Sequence, residues 1–324
     1  MADAGDSGGK ILASSVVFGP VPSRRLGRSL GINNIPPKRC SYSCIYCQLG
    51  STRDMQIERK AFYEPLELAR SVREKIKQVR EQGESIDYLA FVPDGEPTLD
   101  INLGKEIELL RALGIKIAVI TNGSLVWRED VRQDLQKAHW VCLKVDAVTS
   151  DIWHSVNRPH KHLKLDVILD GMLRFAESFR GELTSETMLI RGINDDTREI
   201  NKIAGFLTKL KLARAYLSIP TRPPAEQIEP ATEQTLNAAY QTFSKKLSQV
   251  EYLVGYEGNA FASTGNAADD LLSITAVHPM REEAVTELLN RVGTSWEIVQ
   301  GMINNGSLVE LEYQGKKFYA RKLT

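Results

Sequence analysis

Three cysteines, Cys40, Cys44 and Cys47, stand in a C-x3-C-x2-C pattern. Three thiolates spaced this closely in the chain can bind one metal centre. A cubane [4Fe–4S] cluster takes four protein ligands, so three cysteines leave one of its irons open. An open coordination position is typical of a reactive metal centre rather than a structural one. The triplet therefore predicts a reactive iron–sulfur cluster.

A structural zinc site and a disulfide bond are the two alternative uses of these cysteines. A structural zinc ion would need a fourth ligand, and the nearest histidine in the sequence is His139. The spacing also differs from the paired C-x2-C arrangement common in zinc sites, and a disulfide would leave one of the three cysteines over. The interpretation favours the cluster over zinc. A fourth cysteine, Cys142, stands in an apolar run and is expected to be a small buried residue of a strand.

Together with an aromatic residue just before the third cysteine, here Tyr46, the triplet resembles the radical S-adenosylmethionine (SAM) superfamily. The resemblance implies that the amino and carboxylate groups of SAM bind the open iron. It also implies that Tyr46 contributes to the cofactor site.

The turn at residues 94–99 strengthens this resemblance. The superfamily has a Gly-Gly-Glu-like turn that binds the SAM amino group at a similar distance from the cysteines. The matching residues here are Gly95, Glu96, Pro97 and Thr98. An ammonium group needs carbonyl or carboxylate acceptors, and glycine lets the backbone come close. Asp94 stands where the family has its first glycine, and an ordinary strand-to-helix turn is the alternative.

Polar residues at the ends of later predicted strands are further candidates for SAM binding. Asn122 could face the pocket or cap its turn. Lys144 and Asp146 end the next strand, and the resemblance places such a side chain toward the SAM ribose. The alternative for Asp146 is the N-cap of a helix. Asn194 is a candidate for the SAM carboxylate, with turn formation by Asn-Asp as its alternative.

Four arginines are candidates for substrate binding: Arg24, Arg25, Arg158 and Arg222. Arginine in a rigid loop suits bidentate binding of a carboxylate or phosphate, although exposed arginines are usually only solvated. The loops that carry Arg24, Arg25 and Arg222 resemble a subgroup of iron–sulfur oxidoreductases that includes the wyosine-forming tRNA enzymes. Those enzymes have further cysteines upstream for a second cluster, and this sequence has none before Cys40.

Composition is compatible with a large folded enzyme. The 324 residues include 41 basic and 41 acidic side chains, so no general attraction to nucleic acid or anionic membranes is expected. No apolar run approaches the roughly 20 residues that span a bilayer, and no signal peptide is recognisable. The sequence predicts a cytoplasmic protein, and residues 1–14, which begin small and polar, are expected to form a disordered tail.

The sequence then alternates between helix-like and strand-like segments. A typical helix is expected over 65–80, with an apolar stripe that includes Leu66 and Val72. Strands are expected near Ile32 and over 86–92, 115–120, 139–145, 183–190 and 213–219. Helices are expected over 65–80, 102–113, 128–138, 163–179, 199–210 and 232–247. Repeated β–α units predict a parallel sheet covered by crossover helices.

Six such units are too few for an eight-stranded (β/α)8 barrel. The resemblance implies a partial (β/α)6 radical SAM barrel, with the cysteine loop after the first strand. We expect this α/β barrel over residues 15–265. A small winged-helix-like domain is expected over 266–324.

The winged-helix prediction rests on helices over 282–292 and 294–304, followed by two strands joined across Gln314-Gly315. Winged helices often bind nucleic acid, but residues 271–324 carry six basic and six acidic side chains. The segment 294–308 has no lysine or arginine to neutralise phosphates. The charges predict a protein or peptide partner, or a lid on the barrel, with Trp296 as a contact or simply a core residue.

The sequence thus predicts a radical SAM enzyme, an oxidoreductase or transferase that uses a [4Fe–4S] cluster and SAM to abstract hydrogen from a substrate. A peptide, protein or small molecule is favoured as the substrate. Modification of a tRNA base is the alternative, as is a non-catalytic, metal-stabilised binding protein. A flavodoxin or ferredoxin is the expected reductant.

Overall fold

A computed structural model describes residues 16–255, 258–259, 261 and 263–322 of the chain. The predicted tail, residues 1–14, lies outside these described residues. The strands, in chain order, are β1 Val17–Ser23, β2 Gly27–Ile32, β3 Arg39–Cys40, β4 Asp54–Met55, β5 Tyr88–Phe91, β6 Lys116–Thr121, β7 Trp140–Lys144, β8 Glu182–Met188, β9 Arg214–Ser218, β10 Val250–Leu253, β11 Met280–Arg281, β12 Leu308–Tyr313 and β13 Lys316–Arg321.

Helices alternate with these strands along most of the chain. They are α1 Pro65–Glu81, α2 Leu103–Arg111, α3 Glu129–Leu135, α4 Ser150–Asn157, α5 Leu165–Ser178, α6 Thr197–Leu207, α7 Glu233–Ser244, α8 Ala267–Thr275, α9 Glu282–Val292 and α10 Glu297–Asn304. Short 3-10 turns follow at Pro97–Leu99 and Thr208–Leu210. All six helices predicted for the barrel are present, but α4 was not predicted.

Eight of the described strands form one sheet in the order β1-β2-β5-β6-β7-β8-β9-β10. Only the β1–β2 pair is antiparallel in this sheet. The curled parallel sheet confirms the predicted partial radical SAM barrel. The C-terminal ends of its parallel strands meet at one edge, where polar side chains from several strands can converge.

Two strands of this sheet were not predicted. In β1, one glycine and two prolines (Gly19, Pro20, Pro22) interrupt the apolar pattern. Proline is tolerated there because β1 is an edge strand, whose outer N–H groups need no partner in the sheet. In β10, the middle residues are exposed, so four residues give no readable alternation.

Amphipathic packing holds the barrel together. Helix α1 begins at Pro65 and buries Leu68, Val72 and Val79 against the sheet. The predicted stripe was wrong at Leu66, which is 63% exposed. The actual stripe runs through Leu68 instead, because α1 turns this face toward the sheet. A separate hydrophobic cluster, which includes Trp140, Cys142 and Tyr216, fills the interior of the barrel. Cys142 is therefore a buried strand residue, as predicted.

The C-terminal segment packs on the first strand of the barrel. Phe18 and Val21 of β1 share one hydrophobic cluster with residues of α8, α9 and α10, including Leu271 and Val285. Strands β12 and β13 form the predicted hairpin, and β11 joins them in a three-stranded sheet. Trp296 is half-buried and packs edge-on against Tyr319 within this cluster. The identification of this segment as a winged helix stays a prediction.

Two hydrogen bonds also join the C-terminal segment to loops at the mouth of the barrel. Gln48 Nε2 donates to the carbonyl of Val277 at 2.9 Å. Tyr313 Oη donates to the carbonyl of Pro220 at 3.3 Å. Among the described helices, none is long and apolar enough to cross a membrane.

Two carboxyl groups are fully buried below the turn that follows β5. Asp100 begins α2 by accepting from the Asn102 backbone N–H at 2.8 Å, and Glu106 lies in the first turn of this helix. Burial, and then the charge of Asp100, raises the pKa of Glu106 well above the usual carboxyl range. One of two adjacent buried carboxyl groups keeps its proton, because ionising both would place two negative charges side by side away from water. The pair therefore makes stability depend on pH.

We expect Glu106→Gln to be more stable than the wild type near pH 9 and similar to it near pH 4. The folded wild type keeps the Glu106 proton while the unfolded chain loses it, so wild-type stability falls as pH rises through the folded pKa. The difference near pH 9 should be at least about 1 kcal/mol, roughly one unit of pKa. Urea unfolding across this pH range measures it, with the exposed Glu108→Gln as control on the same helix. A constant difference between the two proteins at all pH values would contradict the assignment.

Candidate active site

The three cysteines lie in the segment between β2 and α1, at the C-terminal edge of the sheet, and Cys40 is the last residue of the short strand β3. All three are half-buried, and they line one cavity of about 300 Å³. The loop is tied to the end of α4, because the backbone N–H of Ile45 donates to the carbonyl of Val156 at 3.0 Å. Helix α4 was missed by the sequence analysis, yet it positions the middle of the cysteine loop.

Side-chain amides contact two of the cysteine sulfurs. Asn122 Nδ2 lies 3.5 Å from the Cys40 sulfur and 3.0 Å from Ser41 Oγ. Asn157 Nδ2 lies 3.4 Å from the Cys44 sulfur. N–H groups directed at sulfur stabilise negative charge there, which suits thiolates that bind a metal.

Burial raises the pKa of all three cysteine thiols. It raises the pKa of Cys44 to about 12, with a further increase from the charge of Asp146. It also raises the pKa of Cys40 and of Cys47. The thiols therefore keep their protons until a metal displaces them, and binding releases those protons. Within the described part of the chain, no group of three or more His, Cys, Asp or Glu residues is arranged to hold a single metal ion.

The turn after β5 approaches the cysteine loop very closely. The backbone N–H of Glu96 donates to the carbonyl of Arg39 at 3.1 Å. Gly95 has φ +150, and a Cβ there would lie 1.8 Å from that carbonyl oxygen. Only glycine fits, as the predicted close approach of the backbone requires.

Glu96 is fully buried at the wall of the cavity and accepts several hydrogen bonds. Its Oε1 accepts from the Thr98 N–H at 3.0 Å and from the Thr121 hydroxyl at 2.6 Å. Its Oε2 accepts from the Asn122 N–H at 2.8 Å. Burial raises the pKa of Glu96, while these hydrogen bonds oppose that increase. The carboxylate thereby joins the ends of β5 and β6, and Pro97 continues the turn as the first residue of a 3-10 helix.

A network of buried charges forms the floor of the cavity. Lys144 Nζ lies 2.9 Å from Glu186 Oε1 and 3.7 Å from Asp146 Oδ1. Arg25 pairs with the other oxygen of Glu186, and Ser218 Oγ donates to Oε1 at 3.0 Å. Glu186 was not predicted as a site residue, because a single acidic residue within a strand has no sequence pattern that indicates a functional role.

The network fixes the charges of its members. Burial lowers the pKa of Lys144, but the carboxylates of Asp146 and Glu186 outweigh burial and raise it to about 12. Burial would raise the pKa of Glu186, but Lys144 and Arg25 outweigh burial and hold it well below the usual carboxyl range. These groups therefore stay charged at neutral pH.

Asp146 connects several of the predicted residues. Its Oδ2 accepts from the Tyr46 hydroxyl and from Asn157 Nδ2, the latter at 2.9 Å. Its Oδ1 accepts from the Met188 N–H at 2.9 Å. The alternative prediction that Asp146 is a helix N-cap is wrong, because Thr149 is the N-cap of α4. Asp146 instead accepts a hydrogen bond from a backbone N–H at the end of β8.

Asn194 is fully buried behind this group and does not line the cavity. Its Nδ2 donates to the carbonyls of Asp146 and Met188 at 2.8 and 2.7 Å. A contact between Asn194 and SAM stays a prediction, as do the cofactor contacts of the other candidates.

The four candidate arginines lie in different places. Arg25 and Arg222 line the cavity. Arg222 donates to Gln48 Oε1 at 2.9 Å and lies 3.0 Å from Nε2 of the buried His278. Arg24 is exposed, and Arg158 is exposed and pairs with Glu226. The structure thus brings two of the four arginines to the cavity.

Comparison with known proteins shows clear relatives. A family model described as the radical SAM superfamily matches residues 34–202. The UPF0026 protein MJ1312 of Methanocaldococcus jannaschii is 48% identical over 312 residues, which cover 95% of this chain and 97% of that protein.

Solved structures share the fold. A radical SAM methyltransferase from Sphaerobacter thermophilus superposes with a TM-score of 0.53 at 16% identity, covering 70% of this chain and 66% of that chain. TYW1 with a lysine-pyruvate adduct bound gives a TM-score of 0.53 at 20% identity, covering 68% of this chain and 74% of that chain. At these identities the similarity concerns the fold alone.

We expect the replacement of Cys40, Cys44 or Cys47 by alanine to abolish the brown absorbance of anaerobically reconstituted protein. Each substitution removes one of the three thiolates that the sequence predicts as cluster ligands. Cys142→Ala is the control, because its sulfur is buried in the hydrophobic cluster inside the barrel and away from the loop. Visible absorption together with iron and sulfide content measures the effect. A full cluster in the Cys44→Ala protein would contradict the ligand assignment.

Proposed function

Because this chain belongs to the radical SAM superfamily, we propose that it reductively cleaves SAM and abstracts a hydrogen atom from a substrate. The observation that carries this proposal is the convergence of the three cysteines and the Glu96 turn on one cavity at the C-terminal edge of the barrel. This edge is where α/β barrels conduct their chemistry.

The residues of the cavity fit a [4Fe–4S] cluster. Cys40, Cys44 and Cys47 would hold it, and the amides of Asn122 and Asn157 would face two of the ligating sulfurs. When bound, the cluster supplies the electron that breaks a carbon–sulfur bond of SAM, which releases methionine and the 5′-deoxyadenosyl radical. The protein supplies binding, orientation and exclusion of water.

The chain's own residues offer matching groups for SAM. The turn at Gly95 and Glu96 offers acceptors for the amino group. Lys144 is held charged on the cavity floor and offers a donor. Tyr46 and Asp146 would orient the nucleoside part, and Asn194 would hold Asp146 in place from behind through its two backbone contacts.

The floor lysine does not favour a covalent adduct with a carbonyl substrate. Such an adduct requires a neutral amine, and the carboxylates of Asp146 and Glu186 keep Lys144 protonated. We therefore do not propose that Lys144 forms a lysine-pyruvate adduct like the one named for TYW1. Its proposed role is electrostatic.

A peptide, a protein side chain or a small molecule is the favoured substrate. Equal numbers of basic and acidic residues over the whole chain support this choice, as does a cavity of about 300 Å³ that the cofactors must share with the substrate. Modification of a tRNA base is the second candidate, supported by the fold shared with TYW1. Arg222 and Arg25 line the cavity and are the proposed substrate contacts, whether the reaction is an oxidation or a group transfer.

A flavodoxin or ferredoxin is the proposed reductant, and the cytoplasm is the proposed compartment because cluster-binding cysteines must stay reduced. A metal-stabilised binding protein without catalysis would instead contain zinc or no metal. Iron and acid-labile sulfide in anaerobically purified protein distinguish the two possibilities.

Reduced, reconstituted protein should release 5′-deoxyadenosine from SAM, even without substrate. Glu96→Gln and Asp146→Asn should weaken SAM binding by about tenfold or more, because each loses a charged acceptor worth roughly 1.5–3 kcal/mol. Glu108→Gln, an exposed carboxylate on α2, is the matched control. Calorimetric titration with SAM measures affinity, and circular dichroism measures folding. Unchanged affinity in both variants would remove these residues from the cofactor site.

The protein should not bind duplex DNA or tRNA through its C-terminal segment, residues 271–324, near physiological salt. Nucleic-acid binding depends on cations that displace counterions from phosphates, and segment 294–308 has none. Fluorescence anisotropy titrations at two salt concentrations test this expectation. Micromolar binding that falls steeply with salt would contradict the charge argument and favour the tRNA alternative.

A further inference from the structure

Two of the three cysteines have a side-chain amide directed toward their sulfur. Asn122 Nδ2 contacts the Cys40 sulfur, and Asn157 Nδ2 contacts the Cys44 sulfur. The ammonium of Lys38 lines the same cavity as Cys47 and carries a full positive charge.

Lys38 is held rigidly beside the cysteine loop. Its backbone N–H donates to the carbonyl of Asp94 at 2.9 Å, and its own carbonyl accepts from the Arg53 and Asp54 N–H groups at 3.2 and 3.1 Å. Its φ of +64 directs the chain back toward the Asp94 turn. The backbone of Lys38 thus connects the cysteine loop to the turn at the edge of β5.

The Lys38 side chain lines the cavity and is only 9% exposed. A Cβ placed on Gly50 would lie 3.6 Å from Nζ, and the Gly50 N–H donates to the carbonyl of Cys47 at 3.1 Å. Among the described residues, Nζ has no hydrogen-bond acceptor. Its counterion is Asp94, with Oδ1 at 3.7 Å.

The Lys38–Asp94 pair neutralises its two buried charges only in part. A buried ammonium is costly unless it is paired and hydrogen-bonded. At 3.7 Å the Asp94 carboxylate attracts Lys38 but is too far for a hydrogen bond. An anionic group in the cavity would complete the neutralisation, and a cluster with three thiolate ligands is such a group.

We propose that Lys38, Asn122 and Asn157 set the reduction potential of the cluster held by Cys40, Cys44 and Cys47. Asp94 moderates the effect of Lys38, in the position where the family has glycine. This inference rests on the proposed function, because it requires the cluster to be bound. These are positioning and tuning residues, and they make no covalent contact with iron.

The physical basis is the charge of the reduced cluster. Reduction adds one electron, supplied by the reductant, so a nearby cation and N–H donors to sulfur stabilise the reduced form. Net charge and hydrogen bonds to sulfur are established determinants of such potentials. Lys38 and the two amides therefore raise the potential and make the cluster easier to reduce, whereas Asp94 lowers it.

The test is an EPR-monitored redox titration of reconstituted full-length protein. We expect Lys38→Met to lower the midpoint potential and Asp94→Asn to raise it, and we expect the double variant to lie between them. For each single variant, the ratio of reduced to oxidised cluster at a fixed potential should change on the order of tenfold, about 59 mV for a one-electron couple. Lys38→Arg, which keeps the charge, should stay near the wild type. Asn122→Leu and Asn157→Leu, which lose an N–H donor, should lower the potential.

Lys137→Met is the matched control, because Lys137 pairs with Glu108 at the opposite end of the sheet. If Lys38→Met does not retain a cluster, Asp94→Asn decides, since it replaces one oxygen by nitrogen at the same size. Unshifted potentials, or shifts of the same sign for Lys38→Met and Asp94→Asn, would overturn the inference while leaving the proposed function intact. A wild-type protein that binds no cluster would overturn both.

Discussion

The close approach of Gly95 to the carbonyl of Arg39 is the contact on which the site depends. It brings the turn after β5 against the start of the cysteine loop, where a side chain at Gly95 would collide with backbone. Glu96 then extends the connection to β6 by accepting from Thr121 and from the backbone of Asn122. The ends of β5 and β6 are thereby fixed relative to the cysteines. The amide of Asn122 can contact the Cys40 sulfur only because this arrangement holds its backbone in place.

The second constraint is the buried charge on the cavity floor. Lys144, Glu186 and Arg25 come from three separated parts of the chain, and each is held charged by the others. Breaking one partner of a buried ion pair leaves an uncompensated charge and typically costs about 3–5 kcal/mol. Such a network is a poor source of net stability, so its presence in the cavity points to a role in binding. The C-terminal segment supports two lining residues of the cavity, because Val277 and His278 contact Gln48 and Arg222.

The residues that could be predicted from the sequence are those with a local pattern. The alternation of helices and strands predicted the parallel sheet, and Gly95 stood out beside Glu96, while the cysteine spacing predicts the metal ligands. Strand β1 was missed because proline and glycine conceal an edge strand, and β10 because it is short and half exposed. Glu186 and Lys38 gave no local signal, and the contact of Asn157 with the Cys44 sulfur was not predicted, since these contacts join residues far apart in the chain. Asp146 was identified as a candidate for a good reason, but its actual contacts depend on Tyr46 and Met188, which only the fold brings close.

The central claim is that the cysteine triplet binds a four-iron cluster with one open iron that accepts SAM. The EPR spectrum of the reduced, reconstituted protein, recorded before and after addition of SAM, tests this claim most directly. The account predicts about four irons and four sulfides per chain and a clear change in the g-values when SAM is added, since SAM binds directly to the open iron. A spectrum that is indifferent to saturating SAM, or a protein that retains zinc instead of iron, would contradict it.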